Sequence, residues 1–113
     1  MRIQVPHVPG CPDAAVLAER LAPFLAAQPD VHLERQVVTD DAEAVALGMS
    51  GSPTLLIDGA DPFAEPDLSP SLSCRLYRDP DGHLSGTPSL TQLCRALATA
   101  ENGHAARKTA PPE

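Results

Sequence analysis

Gly48-Met49-Ser50-Gly51-Ser52-Pro53-Thr54-Leu55-Leu56-Ile57 is the stretch on which the reading of this chain turns. Two glycines and a serine–proline pair lead directly into Thr54–Ile57. That short run suits a strand buried on both faces. Asp58-Gly59 closes it as a turn.

Working outward, Arg2–Val8 carries Ile3, Val5 and Val8, a short strand pattern broken by Pro9-Gly10. Gly10-Cys11-Pro12-Asp13-Ala14 then opens a helix, with Cys11 at the cap and Pro12 at the first helical position, where proline is favoured. Leu17, Leu21, Phe24 and Leu25 recur at helical spacing. Pro23 is expected to kink this helix, because it removes a backbone donor. A second strand is expected over Val31–Val38. Thr39 is expected to cap a second helix whose first turn holds Asp40, Asp41 and Glu43 and which ends near Gly48. Ala60–Ser73 reads as a long loop, Leu72–Arg78 as containing a fourth strand, and Asp79-Pro80-Asp81-Gly82 as a turn. Ser89 caps a last helix with the stripe Leu90, Leu93, Cys94 and Leu97. The order is βαβ, α, ββ, α: one α/β domain over residues 1–100, with residues 101–113 expected as a disordered tail.

The chain has 113 residues and a net charge of −7. Nucleic acid is disfavoured as a partner, because binding it needs a clustered basic surface. An acidic membrane surface is disfavoured on the same grounds, and no apolar run approaches membrane-spanning length. The N-terminus does not read as a signal peptide, so a reducing, cytoplasmic setting is expected. The three cysteines, Cys11, Cys74 and Cys94, form no C-x-x-C pair. No metal site and no cofactor are expected. Cys94, on the apolar stripe, reads as core filler. Cys74 reads equally well as an apolar strand position or as a working thiol. Cys11 differs: at a helix start it faces unpaired backbone N–H groups and the positive end of the helix, both of which favour a thiolate. Asp13 in the same turn suits the dipole but opposes a second negative charge beside it. His7, just before the break, reads as a strand-end residue or as a neighbour of Cys11.

Together, the Cys11 junction and the Gly48–Ile57 segment resemble the thioredoxin and glutaredoxin superfamily. That resemblance implies a four-stranded mixed sheet flanked by helices, with Cys11 as the nucleophile. Ser52–Pro53 matches the family's cis-proline loop, a substrate-binding element beside the thiol whose backbone pairs with an extended substrate. The family's usual second cysteine would fall at position 14, where this chain has Ala14. The motif is therefore monothiol, and Cys11 cannot clear a mixed disulfide from within it. The expected partners are a small-molecule thiol or a protein disulfide. Asp61-Pro62-Phe63 followed by Ser73-Cys74-Arg75-Leu76-Tyr77 also resembles small thioredoxin-like proteins described as alkylmercury lyase-like. On that resemblance Cys11, Cys74 and Asp13 are the candidate residues. The two functional classes are thus a thiol–disulfide oxidoreductase or thiol transferase, and a non-catalytic binding module or soft-metal (mercury) handler.

If the fourth strand returns antiparallel beside the third, Cys74 lies about 13 Å from the Cys11 pole, four residues at about 3.3 Å each. No Cys11–Cys74 bond is then expected, since a disulfide needs Cα atoms within about 7 Å. The long loop is where this expectation can fail, because it has enough chain to cross back to the active pole.

Overall fold

The structure is a computed structural model that describes the backbone of residues 1–109 and the side chains of residues 1–101. Its elements are β1 (Arg2–His7), α1 (Pro12–Ala27), β2 (His32–Val37), α2 (Asp41–Leu47), β3 (Ser50–Ser52), β4 (Leu56–Ile57), β5 (Ser71–Cys74), β6 (Tyr77–Arg78), β7 (Leu84–Ser85) and α3 (Leu90–Thr109). The fold is a compact α/β arrangement with mixed sheets. No helix among the described residues is long and apolar enough to cross a membrane. The segment expected as tail begins at residue 101, whereas α3 runs to Thr109; residues 110–113 lie outside the described residues.

The main sheet has the order β2-β1-β4. β1 pairs with β2 in parallel over its whole length, from Arg2 opposite His32 to His7 opposite Val37. It pairs with β4 antiparallel through Ile3–Ile57 and Gln4–Leu56. The βαβ unit is therefore parallel, as the element order implied. Ile3 and Val5, two residues apart on one face, join Ala14, Leu17 and Leu21 of α1, Leu55 and Ile57, and Leu93 and Leu97 of α3 in one core cluster. Val38, Ala44 and Met49 form a second cluster, against which Val8, Leu47 and Leu72 pack.

The helix starts follow local chemistry. α1 begins at the Cys11 cap with Pro12 in its first turn. α2 is capped by Asp40 rather than Thr39: Glu43 N–H donates to Asp40 Oδ1 at 2.8 Å. Thr39 instead donates its hydroxyl to the Glu43 carboxylate at 3.1 Å. α3 has a reciprocal capping box, with Gln92 N–H donating to Ser89 Oγ at 3.1 Å and Ser89 N–H to Gln92 Oε1 at 2.9 Å. Leu93 and Leu97 are buried, but Leu90 is 57% exposed and Cys94 is exposed. The reading of Cys94 as core filler is thereby corrected. The face of α3 that meets the core is formed by Leu93 and Leu97 with Ala96 and Ala100 beside them, and Cys94 falls outside it.

The expected four-stranded sheet is not formed; the main sheet stops at three strands. Leu72–Arg78, expected as one strand beside the third, divides into two. β5 pairs in parallel with β3, placing Ser71 opposite Ser50 and Cys74 opposite Ser52. β6 turns away to pair antiparallel with β7. The division falls at Arg75, whose side chain is 2% exposed. Its guanidinium forms an ion pair with Asp61 at 2.5 Å and donates to the Phe63 carbonyl at 2.8 Å. It also lies 4.6 Å from the Tyr77 ring centroid. A buried cation must be fully partnered, and these partners draw the 61–63 segment and Tyr77 around one point. Phe63 completes the cluster with an edge-to-face contact on Tyr77, 5.4 Å between centroids.

Gly51 lets β5 approach. Its φ is +98°, and an added Cβ would stand 2.8 Å from Arg75 Cβ and 3.2 Å from the Ser73 carbonyl. Gly59 also has positive φ, +84°, but nothing lies within 4 Å of the position. Gly51→Ala is therefore expected to cost about 2 kcal/mol or more, conformational strain plus overlap. Gly59→Ala should cost about 1 kcal/mol from conformation alone. Urea unfolding midpoints measure the difference, and equal losses would contradict the close approach.

For the ion pair, Arg75→Met is expected to destabilise by about 3 kcal/mol, because the largely covered Asp61 carboxylate loses its cation. The double variant Arg75→Met/Asp61→Leu should recover most of that loss. Additive losses in denaturant melts would show that the two side chains do not act as a pair.

Candidate functional site

Cys11 sits where the sequence placed it. Gly10, at φ +71°, turns the chain, and Cys11 follows with φ −69° and ψ 111°, an extended cap conformation. The Cys11 N–H donates to the Val8 carbonyl at 3.3 Å, closing the turn. The Cys11 side chain makes no capping hydrogen bond, so the first-turn N–H groups of α1 are left without it. The residue is half-buried and packs against the main core cluster.

The Ser52–Pro53 bond is cis and lies beside this turn. Val8 N–H donates to Ser52 Oγ at 3.0 Å, and Thr54 N–H to the Pro6 carbonyl at 3.1 Å. Both Ser52 and Pro53 are buried. Thr54 Oγ1 donates to the Gly51 carbonyl at 2.7 Å and accepts from Ser50 N–H at 3.1 Å, bracing the loop from inside. The Tyr77 hydroxyl donates to the Pro53 carbonyl at 2.5 Å. Burial pushes the Tyr77 phenol above its ordinary range, so it stays protonated and remains a donor. The Asp61 carboxylate pushes it the same way, and the Arg75 cation beside the ring opposes them.

Cys74 lies opposite Ser52 on a strand that runs parallel to β3, and the expected antiparallel return beside the third strand is corrected accordingly. The cause is the long loop, which crosses back and delivers β5 to β3 instead of to β4. Arg75 N–H donates to the Ser52 carbonyl at 3.0 Å, so that carbonyl is already paired. Cys74 is exposed and borders a cleft of about 340 Å³ shared with Ser50, Gly51 and Leu68. All three cysteines are free.

The remaining candidates divide. Asp13 accepts a hydrogen bond from Thr87 Oγ1 at 3.3 Å, and an added Cβ at Gly86 would overlap its carboxylate. Asp13 thus ties α1 to the chain entering α3. His7 is buried, and its Nδ1–H donates to the Val8 carbonyl at 2.8 Å, which makes it a strand-end residue. A separate apolar cavity of about 420 Å³, between β4 and α3, is lined by Ile57, Phe63 and Ala96 and by none of the cysteines.

Sequence reasoning missed Asp61, Arg75 and Tyr77 as partners of the loop. The signal is in the residues: Asp61-Pro62-Phe63 and Cys74-Arg75-Leu76-Tyr77 belong to one resemblance, and they meet around the Arg75 guanidinium. Thr87 and Gly86 carry no comparable mark. Comparison of the chain with protein-family descriptions, with curated proteins and with solved structures finds no match in any of the three.

Proposed function

We propose that this chain is a thioredoxin-like thiol protein that carries out thiol–disulfide exchange through Cys11. The observation that carries this reading is the joining of the Cys11 turn to the Ser52–Pro53 loop by the Val8–Ser52 hydrogen bond. A thiol at the start of a 16-residue helix, uncapped by its own side chain, has N–H groups and the helix dipole to stabilise negative charge on sulfur. The βαβ order with an antiparallel third strand is compatible with the family, although the family's fourth strand lies elsewhere here.

A second reading, a non-catalytic thioredoxin-like module or a holder of a soft metal such as mercury, has one observation in its favour. β5 occupies the Ser52 carbonyl, the group that an extended substrate would use. Soft thiolates at Cys11 and Cys74 would suit such a metal.

Exposure and activation oppose one another here, which makes the test sharp. Cys11 is half-buried while Cys74 and Cys94 are exposed. Brief iodoacetamide labelling at neutral pH, read by peptide mass spectrometry, should modify Cys11 fastest, by about tenfold, if the helix start activates it. A Cys11→Ser variant should lose glutathione-dependent reduction of a model disulfide. If Cys11 labels more slowly than both exposed thiols, and Cys11→Ser leaves reduction unchanged, the exchange reading is wrong and the second reading takes its place.

A further inference from the structure

We propose that Cys74 is the resolving thiol of Cys11, supplied across the chain by β5 in place of the residue missing at Ala14. The inference rests on the exchange reading above. It is carried by the strand register, not by either cysteine alone.

Three observations converge. First, β5 gains one residue relative to β3: three steps from Ser71 to Cys74 match two from Ser50 to Ser52. A regular ladder would set Ser73 opposite Ser52; the bulge sets Cys74 there instead. Neighbouring strands lie about 4.8 Å apart, and residues in register present their side chains to the same face. Second, the Ser52 side chain on that face reaches the Cys11 turn, accepting from Val8 N–H at 3.0 Å. Third, Val8 and Leu72 pack against the same cluster of Val38, Ala44 and Met49, so the Cys11 turn and β5 share a common support.

Cys74 is therefore presented on an extended strand at Ser52, where an extended disulfide substrate would be presented. Its exposure leaves the sulfur free to attack. A bond to Cys11 needs Cα atoms within about 7 Å. The exchange step therefore requires Cys11 and Cys74 to come within that range in the mixed disulfide; the Cys11 turn is held by one backbone bond, from Cys11 N–H to the Val8 carbonyl at 3.3 Å.

The chemistry balances with a disulfide RS–SR as oxidant. Cys11 thiolate attacks one sulfur; the Cys11–SR bond forms, the RS–SR bond breaks, and RS⁻ leaves. Cys74 thiolate then attacks Cys11 Sγ. The Cys11–Cys74 bond forms, the Cys11–SR bond breaks, and a second RS⁻ leaves. The protein dithiol is oxidised, the disulfide is reduced to two thiols, and the two protons given up by Cys11 and Cys74 go to the thiolates through solvent.

Oxidised glutathione is the probe, with full-length protein carrying Cys94→Ser so that only two thiols remain. Intact mass and peptide mapping should show a Cys11–Cys74 cross-link and little glutathione adduct. Adding Cys74→Ser should trap glutathione on Cys11, with an adduct lifetime longer by about tenfold, since an intramolecular thiol acts at millimolar effective concentration. Circular dichroism of both variants checks that the exposed substitutions leave the fold intact. If the adduct persists equally with and without Cys74, the resolving role is overturned while Cys11 remains a nucleophile. If Cys11 takes up no glutathione in either protein, the exchange reading fails and this inference falls with it.

Discussion

The buried guanidinium of Arg75 is the constraint around which the rest of this structure is arranged. A charge removed from water must recover its solvation from fixed partners, and an incomplete set costs several kcal/mol. Here the set is Asp61, the Phe63 carbonyl, Thr54 Oγ1 at 3.5 Å and the face of Tyr77. The partners come from three separate parts of the chain. Asp61 and Phe63 bring in the start of the long loop, which an Asx turn stiffens through Phe63 N–H donating to Asp61 Oδ1 at 2.8 Å. Thr54 and Tyr77 grip the loop around Pro53. The backbone of the same arginine is bonded to Ser52, so satisfying the side chain also fixes the register of β5.

The functional arrangement follows from that register. Ser52 has its hydroxyl bonded to the Cys11 turn and its carbonyl bonded to β5. A substrate that pairs along this edge must compete with a strand of the same chain. An intramolecular strand has the advantage of effective concentration over any free peptide. The chain has Ala14 where an adjacent second cysteine would stand, and the strand that pairs with the Ser52 edge carries Cys74.

Much of the local structure was legible in the residues. Proline and glycine punctuation located the Cys11 cap, the start of α1 and the Ser52–Pro53 loop, because each needs a backbone conformation that few residue types accept. Strand pairing was not legible in the same way. Ser71–Cys74 is short, half-exposed and weakly patterned, so its partner is decided by the long-range contacts of Arg75 rather than by periodicity. An arginine in a sequence reads as surface, and only the meeting with Asp61 across the loop reverses that. Cys94 shows the opposite error: it lies one residue off the Leu93–Leu97 stripe, too small a displacement to distinguish without the packed partner.

The central claim is that β5 lies in parallel beside β3, with Cys74 opposite Ser52. Interstrand nuclear Overhauser effects on isotope-labelled protein test it most directly. The account predicts contacts between the Ser52 Hα and the Arg75 amide proton, and between Gly51 and Ser73. A ladder joining Leu72–Arg78 antiparallel to Thr54–Ile57 would contradict it and move Cys74 away from Ser52.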